Sequence, residues 1–169
     1  ELAQTISLET GKPRWEALTE VSAMIGKIDI SVQAYRQRCS EVSRDLSGAR
    51  GITRFKPHGV VVVLGPFNFP GHVPNGHIVP ALLMGNTIVF KPSDKTPAVG
   101  QAIAELFLAA LESVGAPAGV FNLVQGRADV ASALVTSRDI DGVLFTGSWP
   151  VGRRILEANL DQPGKIVAL

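Results

Sequence analysis

The chain has 169 residues, 46% hydrophobic and 18% charged. That suits one domain or one large lobe with a real core, and it excludes wholesale disorder. Sixteen Lys and Arg face fifteen Asp and Glu for a net charge of +1, with aromatics at 6%, which carries no signature of the basic faces and stacking platforms of nucleic-acid binders and gives no support for a polybasic membrane surface.

The single cysteine, Cys39, excludes an intramolecular disulfide and fits a reducing compartment. No apolar run approaches the roughly 18 residues of a membrane span, and no signal-peptide pattern is visible, so a cytoplasmic protein is expected. The first residue is Glu1, so the chain is expected to be a trimmed piece.

Residues Glu1–Thr10 read as the end of a helix stopped by Gly11 and Pro13. Trp15, Leu18, Val21, Ile25, Ile28, Val32, Tyr35 and Cys39 then recur at spacings of three or four. They predict one apolar stripe on a helix from about Pro13 to Cys39, with Pro13 in its first turn. So long a helix either runs along a whole domain or lies in an interface. The acids between Glu1 and Glu20 read as scattered on helix faces without pairing.

Ser40–Gly51 reads as a small-polar connection and Ile52–Lys56 as a strand. From Gly59 the pattern changes. Val60–Leu64, a continuous β-branched run, predicts a buried strand. A rigid proline-rich loop follows, then a short helix over Gly76–Met84 and a second buried strand at Thr87–Phe90. Pro97–Val114 predicts a helix with Val99, Ile103, Leu106 and Leu111 inward. Strands are expected at Gly119–Val124, Gly142–Phe145 and Lys165–Leu169, with helices at Ala128–Ser137 and Gly147–Leu160 between them.

Apolar strands alternating with helices imply an α/β fold: a Rossmann-like parallel sheet covered by helices, preceded by a long amphipathic helix. Residues 1–51 are expected to form an N-terminal helical segment and 52–169 the α/β domain. Such sheets bind ligands at the carboxyl ends of their strands, which singles out the loops Gly65–Asn75, Lys91–Pro97, Gln125–Arg127 and Thr146–Pro150.

Within those loops, Asn68 offers an amide that can aim at a developing negative oxygen or make local turn contacts. Lys91, Ser93 and Asp94 suit a ribose or phosphate, or a solvated turn. Ser148 in Thr146-Gly147-Ser148 can cap a helix or leave N–H groups for a pyrophosphate. Neither GxGxxG nor GxxxxGK[ST] is present. His58, His72, His77 and Cys39 form no metal signature, so no metal is expected. Asp139 and Asp141 read as a solvated turn leading into a strand.

Taken together, Val60–Pro70, Gly85–Ser93, Gly119–Gly126 and Phe145–Gly152 resemble the NAD(P)-dependent aldehyde dehydrogenase superfamily, in order and at matching intervals. Glu9-Thr10-Gly11-Lys12-Pro13 extends the resemblance over nearly the whole chain. Glu9–Ala17, Asn68–Ala81 and Asn122–Gly126 look most similar to a branch acting in arginine catabolism.

The resemblance implies that residues 52–169 are part of an NAD-binding domain, and it implies roles. Asn68 matches the catalytic oxyanion-hole Asn. Pro66 and Phe67 match the loop beside the nicotinamide. Lys91 and Ser93 match residues near the adenosine ribose. Asp94 stands where the family often has the Glu that holds the ribose diol. Thr146, Gly147 and Ser148 match the pyrophosphate turn, and Val151 faces the adenine region. The implied cofactor is NAD, with NADP as the alternative, and the implied partner is a small aldehyde substrate in a homo-oligomeric parent.

In that parent a Cys thiolate attacks the aldehyde, the oxyanion collapses as NAD is reduced, and a Glu-activated water releases the acid. The general-base Glu is expected directly after Leu169 and the Cys further on, in a separate catalytic domain. The chain alone is therefore expected to be inactive. Two other classes stay open from the sequence: an autonomous nucleotide-binding module, and an interaction segment docking through its long helix.

Overall fold

The computed structural model describes all residues, 1–169. Two helices come first, α1 (Leu2–Thr10) and α2 (Arg14–Arg38), then a hairpin of β1 (Val42–Leu46) and β2 (Ala49–Thr53). Strands and helices alternate from there: β3 (Val60–Leu64), α3 (His72–Leu83), β4 (Thr87–Lys91), α4 (Pro97–Ser113), β5 (Phe121–Leu123), α5 (Ala128–Thr136), β6 (Gly142–Phe145), α6 (Trp149–Glu157) and β7 (Ile166–Ala168). No helix is long and apolar enough to cross a membrane.

The sheet has strand order β5-β4-β3-β6-β7, and every pairing is parallel. The α/β architecture expected from the alternation is the one observed. β3 is central, with two strands on either side: Val62 is in register with Val89 of β4 and with Val143 of β6. Successive side chains of a strand point to opposite faces. Val61, Val63, Ile88 and Phe90 therefore join one core with Ile78, Val99 and Ile103, to which α1 and α2 add Ile6, Ala17 and Met24. Val62, Leu64 and Val143 join the other core with Val135 of α5 and Ile155 of α6. Phe107 of α4 stacks on Phe121 with ring centroids 5.1 Å apart.

The structure corrects several expectations. The stripe on α2 faces out: Trp15 is 70% exposed and Ile25 66%. The buried residues of α2 are Ala17, Glu20, Met24 and Ser31. The reason lies in the partner. α2 packs on α3 and meets polar groups there; Asn75 Nδ2, for example, donates to Met24 O at 3.0 Å. Small and polar residues fit that seam, and the apolar period alone did not say which stripe it was.

On α4, Val99 and Ile103 are buried as expected, but Leu106 is exposed and Ala104 and Phe107 turn inward in its place. Residues 40–51 carry β1 and most of β2 rather than a plain connection, turning at Gly48 with φ 79°. Pro13 is the N-cap of α2, just before its first turn. α3 starts at His72, earlier than expected, because Pro74 falls in the first turn, where its missing N–H has no intrahelical acceptor to lose.

Asp141 is no solvated turn residue. Its Oδ2 accepts the Val60 N–H at 2.8 Å. Asn86 Oδ1 likewise accepts the N–H groups of His58 and Gly59 at 2.7 and 3.1 Å. These two side chains hold the start of β3 from both neighbouring strands, and so set where its far end emerges.

Candidate functional site

The chain runs outward from β3 to β4 and β5, then crosses back to place β6 on β3's other edge. The loops after β3 and β6 consequently diverge, which is the switch-point geometry that opens a ligand crevice in such sheets. A cleft of about 950 Å³ lies there, at the carboxyl ends of β3, β4 and β6 and against α5 and α6. It falls within the range of small-molecule and cofactor sites. The structure brings every candidate together in its lining: Pro66, Phe67 and Asn68 after β3, Lys91, Ser93 and Asp94 at β4, and Thr146, Gly147, Ser148 and Val151 after β6.

The loop after β3 is tied at both ends. Gly65 N donates to Lys91 O at 2.9 Å. A Cβ on Gly65 would lie 2.9 Å from Pro74 Cγ, so the strand can leave the sheet here only as glycine. At the far end Glu20 Oε1 accepts the N–H groups of Gly71 and His72 at 2.9 and 3.0 Å. Between them Asn68 is exposed on the cleft wall.

The second loop packs on α4. A Cβ on Gly100 would come within 2.3 Å of Pro92 Cγ, so this glycine lets the first turn of α4 close behind the loop. Lys91 is 6% exposed and its Nζ donates to Pro92 O at 2.7 Å. Burial lowers its pKa, against the opposing pull of the Asp94 and Asp129 carboxylates. Its ammonium is thus turned partly to the backbone rather than held free in the cleft. Ser93 Oγ accepts the N–H of Lys95 at 3.3 Å, and Lys95 Nζ lies 5.5 Å over the Phe67 ring.

In the third loop a Cβ on Gly147 would approach Phe145 Cζ to 2.4 Å, so the turn can pass over that ring only without a side chain. Thr146 Oγ1 shares a hydrogen bond of 3.0 Å with His77 Nε2. Burial, and then the nearby Lys27, lowers the pKa of His77. Ser148 is the N-cap of α6, but its hydroxyl makes no cap bond, contrary to the capping option the sequence offers. Arg127, the N-cap of α5, makes none either.

Two helix starts without side-chain caps therefore open on one cleft. Its charged lining is Lys91, Lys95, Arg127 and Arg154 against the single carboxylate of Asp94. Free helix N–H groups, a glycine turn and an excess of cations fit the pyrophosphate of a dinucleotide. Ala128, Ala131 and Val135, at spacings of three and four, give α5 a small apolar wall beside it. Arg154, Lys95 and that wall carry no motif of their own. Their only signal in the sequence is a position on elements that follow strand ends.

Cys39 is the C-cap residue of α2 and does not line the cleft. No group of three or more His, Cys, Asp or Glu side chains is placed to hold a metal ion.

Comparison with known proteins gives a family and several relatives. The model of the aldehyde dehydrogenase family matches residues 1–169. N-succinylglutamate 5-semialdehyde dehydrogenase of Chromohalobacter salexigens is 56% identical over 99% of this chain, which covers 34% of that protein. Among solved structures, the glyceraldehyde-3-phosphate dehydrogenase GapN of Methanocaldococcus jannaschii complexed with NADP is 30% identical at a TM-score of 0.89, with 98% of this chain and 36% of that one covered. An NAD-dependent benzaldehyde dehydrogenase of Corynebacterium glutamicum is 31% identical at a TM-score of 0.86, over 99% of this chain and 36% of that one. The chain thus spans about a third of the length of the relatives it matches.

Proposed function

This chain belongs to the aldehyde dehydrogenase family, and we propose that it forms the cofactor-binding portion of an NAD-dependent dehydrogenase oxidising N-succinylglutamate 5-semialdehyde to N-succinylglutamate in arginine catabolism. The observation that carries the reading is the convergence of three loops, after β3, β4 and β6, on one cleft with two uncapped helix starts. The substrate assignment is supported by the 56% identity to the relative of that name.

In this reading Gly147 and Ser148, with the start of α6, hold the pyrophosphate, and Thr146 shapes the turn from the β6 side. Lys91 and Ser93 flank the adenosine ribose. Asp94 accepts from the ribose diol, and its carboxylate disfavours a 2′-phosphate, which favours NAD over NADP. Val151 borders the adenine, and Pro66 and Phe67 border the nicotinamide. The bound cofactor supplies two-electron oxidation of the aldehyde carbon.

Asn68 is the catalytic residue of this chain. Its amide donates to the substrate oxygen as negative charge develops there, and the tethered loop aims it before that charge appears. The nucleophilic thiol and the general base are assigned to residues outside this chain, because Cys39 stands away from the cleft. Residues 52–169 then act as part of the NAD-binding domain, braced by α1 and α2 of residues 1–51. The parent enzyme is proposed to be cytoplasmic and homo-oligomeric.

The test is Asn68→Ala in the whole enzyme, assayed for NADH formation from N-succinylglutamate 5-semialdehyde. Turnover should fall by roughly ten- to a thousandfold, the range for losing one oxyanion donor, while NAD titration by calorimetry stays near wild type. Near-normal turnover, or a loss that tracks lost thermal stability, would remove Asn68 from the reaction.

A further inference from the structure

We propose that Glu20, paired with Lys12, is a positioning residue that aims Asn68 through the loop they both grip, although neither lines the cleft. The inference rests on the dehydrogenase reading above and adds two residues from the first helical segment to its machinery.

Glu20 lies on α2 and is 4% exposed. A carboxylate so buried is costly unless its oxygens are matched. Here Oε1 accepts from Gly71 N and His72 N at 2.9 and 3.0 Å, and Oε2 accepts from Lys12 Nζ at 2.8 Å. Gly71 and His72 are the N-cap and first residue of α3. The negative charge therefore stands at the positive end of that helix.

The same Lys12 ammonium sits 3.7 Å over the centre of the Phe69 ring. One ion pair thus anchors Phe69, Gly71 and His72, and Asn68 is the residue just before them. Pro70, between the anchors, is fully buried. A Cβ on Gly71 would lie 2.7 Å from Met24 Sδ, so loop and helix touch without slack. With Gly65 fixed to the sheet at the other end, Asn68 sits in a short span tethered on both sides.

Preorganisation is what an oxyanion donor requires, and a displacement of about 1 Å can cost on the order of a hundredfold in rate. A charged pair is a poor choice for stability alone at a buried site, since apolar replacements are often neutral or better. Its use here fits the fixing of two N–H directions at the root of the Asn68 loop.

The experiment is a double-mutant cycle in the whole enzyme with Glu20→Gln, Asn68→Ala and the pair. Gln keeps an oxygen for the two N–H groups but removes the charge that holds Lys12. Glu20→Gln should lower kcat about tenfold with the NAD KM nearly unchanged. In the Asn68→Ala background it should have no further effect beyond about twofold, the limit of ordinary additivity. Lys12→Met should reproduce the loss and Lys12→Arg restore most of it; the Lys12→Met cycle serves if the Glu20 variant does not fold.

Equal fold losses in both backgrounds would overturn the inference, because a merely structural effect is independent of Asn68. Normal turnover of Asn68→Ala with NAD binding intact would overturn the oxyanion reading and this inference with it. A large loss at Asn68 with an additive loss at Glu20 would overturn only the inference.

Discussion

On one face of the sheet α3 and α4 begin against carboxylates; on the other α5 and α6 begin against the cleft. Glu20 takes the first N–H groups of α3, and Glu9 takes those of Ala98 and Val99 in α4 at 2.9 and 2.8 Å. Thr96, the N-cap of α4, is left with a buried hydroxyl that has no partner. Arg127 and Ser148, the N-caps of α5 and α6, make no side-chain cap bond at all. All four helices leave the same end of a parallel sheet, so all four present positive dipole ends there. The molecule satisfies two of them with its own carboxylates and leaves the other two without side-chain caps beside the cleft. Closed starts belong to the scaffold, and open ones face the cleft.

The sharpest way to break this comparison is to open a closed start. Glu9→Ala should weaken the first turn of α4 by about 0.5–2 kcal/mol, the usual cost of losing a helix cap. The measurement is hydrogen exchange at the Ala98 and Val99 amides, which should speed up by roughly two- to thirtyfold. Unchanged protection there would mean that the Glu9 contacts contribute nothing to holding the helix.

A smaller effect comes from His77, the side chain on α3 that reaches across to Thr146 in the open loop. Burial and Lys27 hold its pKa below the ordinary 6.5. Below pH 6.5 the unfolded chain then binds more protons at this site than the folded one. Stability should fall as pH drops from 6.5 through the folded pKa, and be fully present above 6.5. His77→Gln keeps a hydrogen-bonding side chain without the charge and should flatten that part of the stability–pH curve. An unaltered slope in the variant would show that the acid sensitivity arises elsewhere.

The smallest effect is expected at an open start. Ser148→Ala should leave amide exchange at Val151 and Gly152 within about 0.5 kcal/mol of wild type, since no cap bond is lost. A marked loss of protection would show that Ser148 caps α6 after all and that the start is not free.

Legibility differed across the chain for physical reasons. β3, β4 and β6 were plain because strands buried on both faces must be apolar throughout, and Val60–Leu64 is such a run. The β1–β2 hairpin was hidden because almost all of it is exposed, so no burial pattern marks it. The cleft loops were legible from the topology, which puts ligands at strand ends, and from the resemblance that assigned Asn68 and the Thr146 turn. Arg127 was legible only as the end of the loop Gln125–Arg127, and Arg154 carried no motif, since a lone arginine on a helix reads as a solvated face. Glu9 and Glu20 were misread as unpaired acids, and the stripe from Trp15 to Tyr35 was legible as a stripe but pointed the wrong way.

The sequence by itself determined the alternation of strands and helices, the apolar strands at the centre of the sheet and the glycine- and proline-bearing loops at their ends, because each of these follows from neighbours within a few residues. Only the tertiary structure decided which face of α2 is buried, which carboxylates close helix starts and which starts stay open. Those outcomes depend on partners far along the chain: Glu20 meets Gly71 across 51 residues, and Glu9 meets Val99 across 90. A local period records that a side chain can be buried, but a backbone N–H is satisfied only by whatever the fold brings within hydrogen-bond reach.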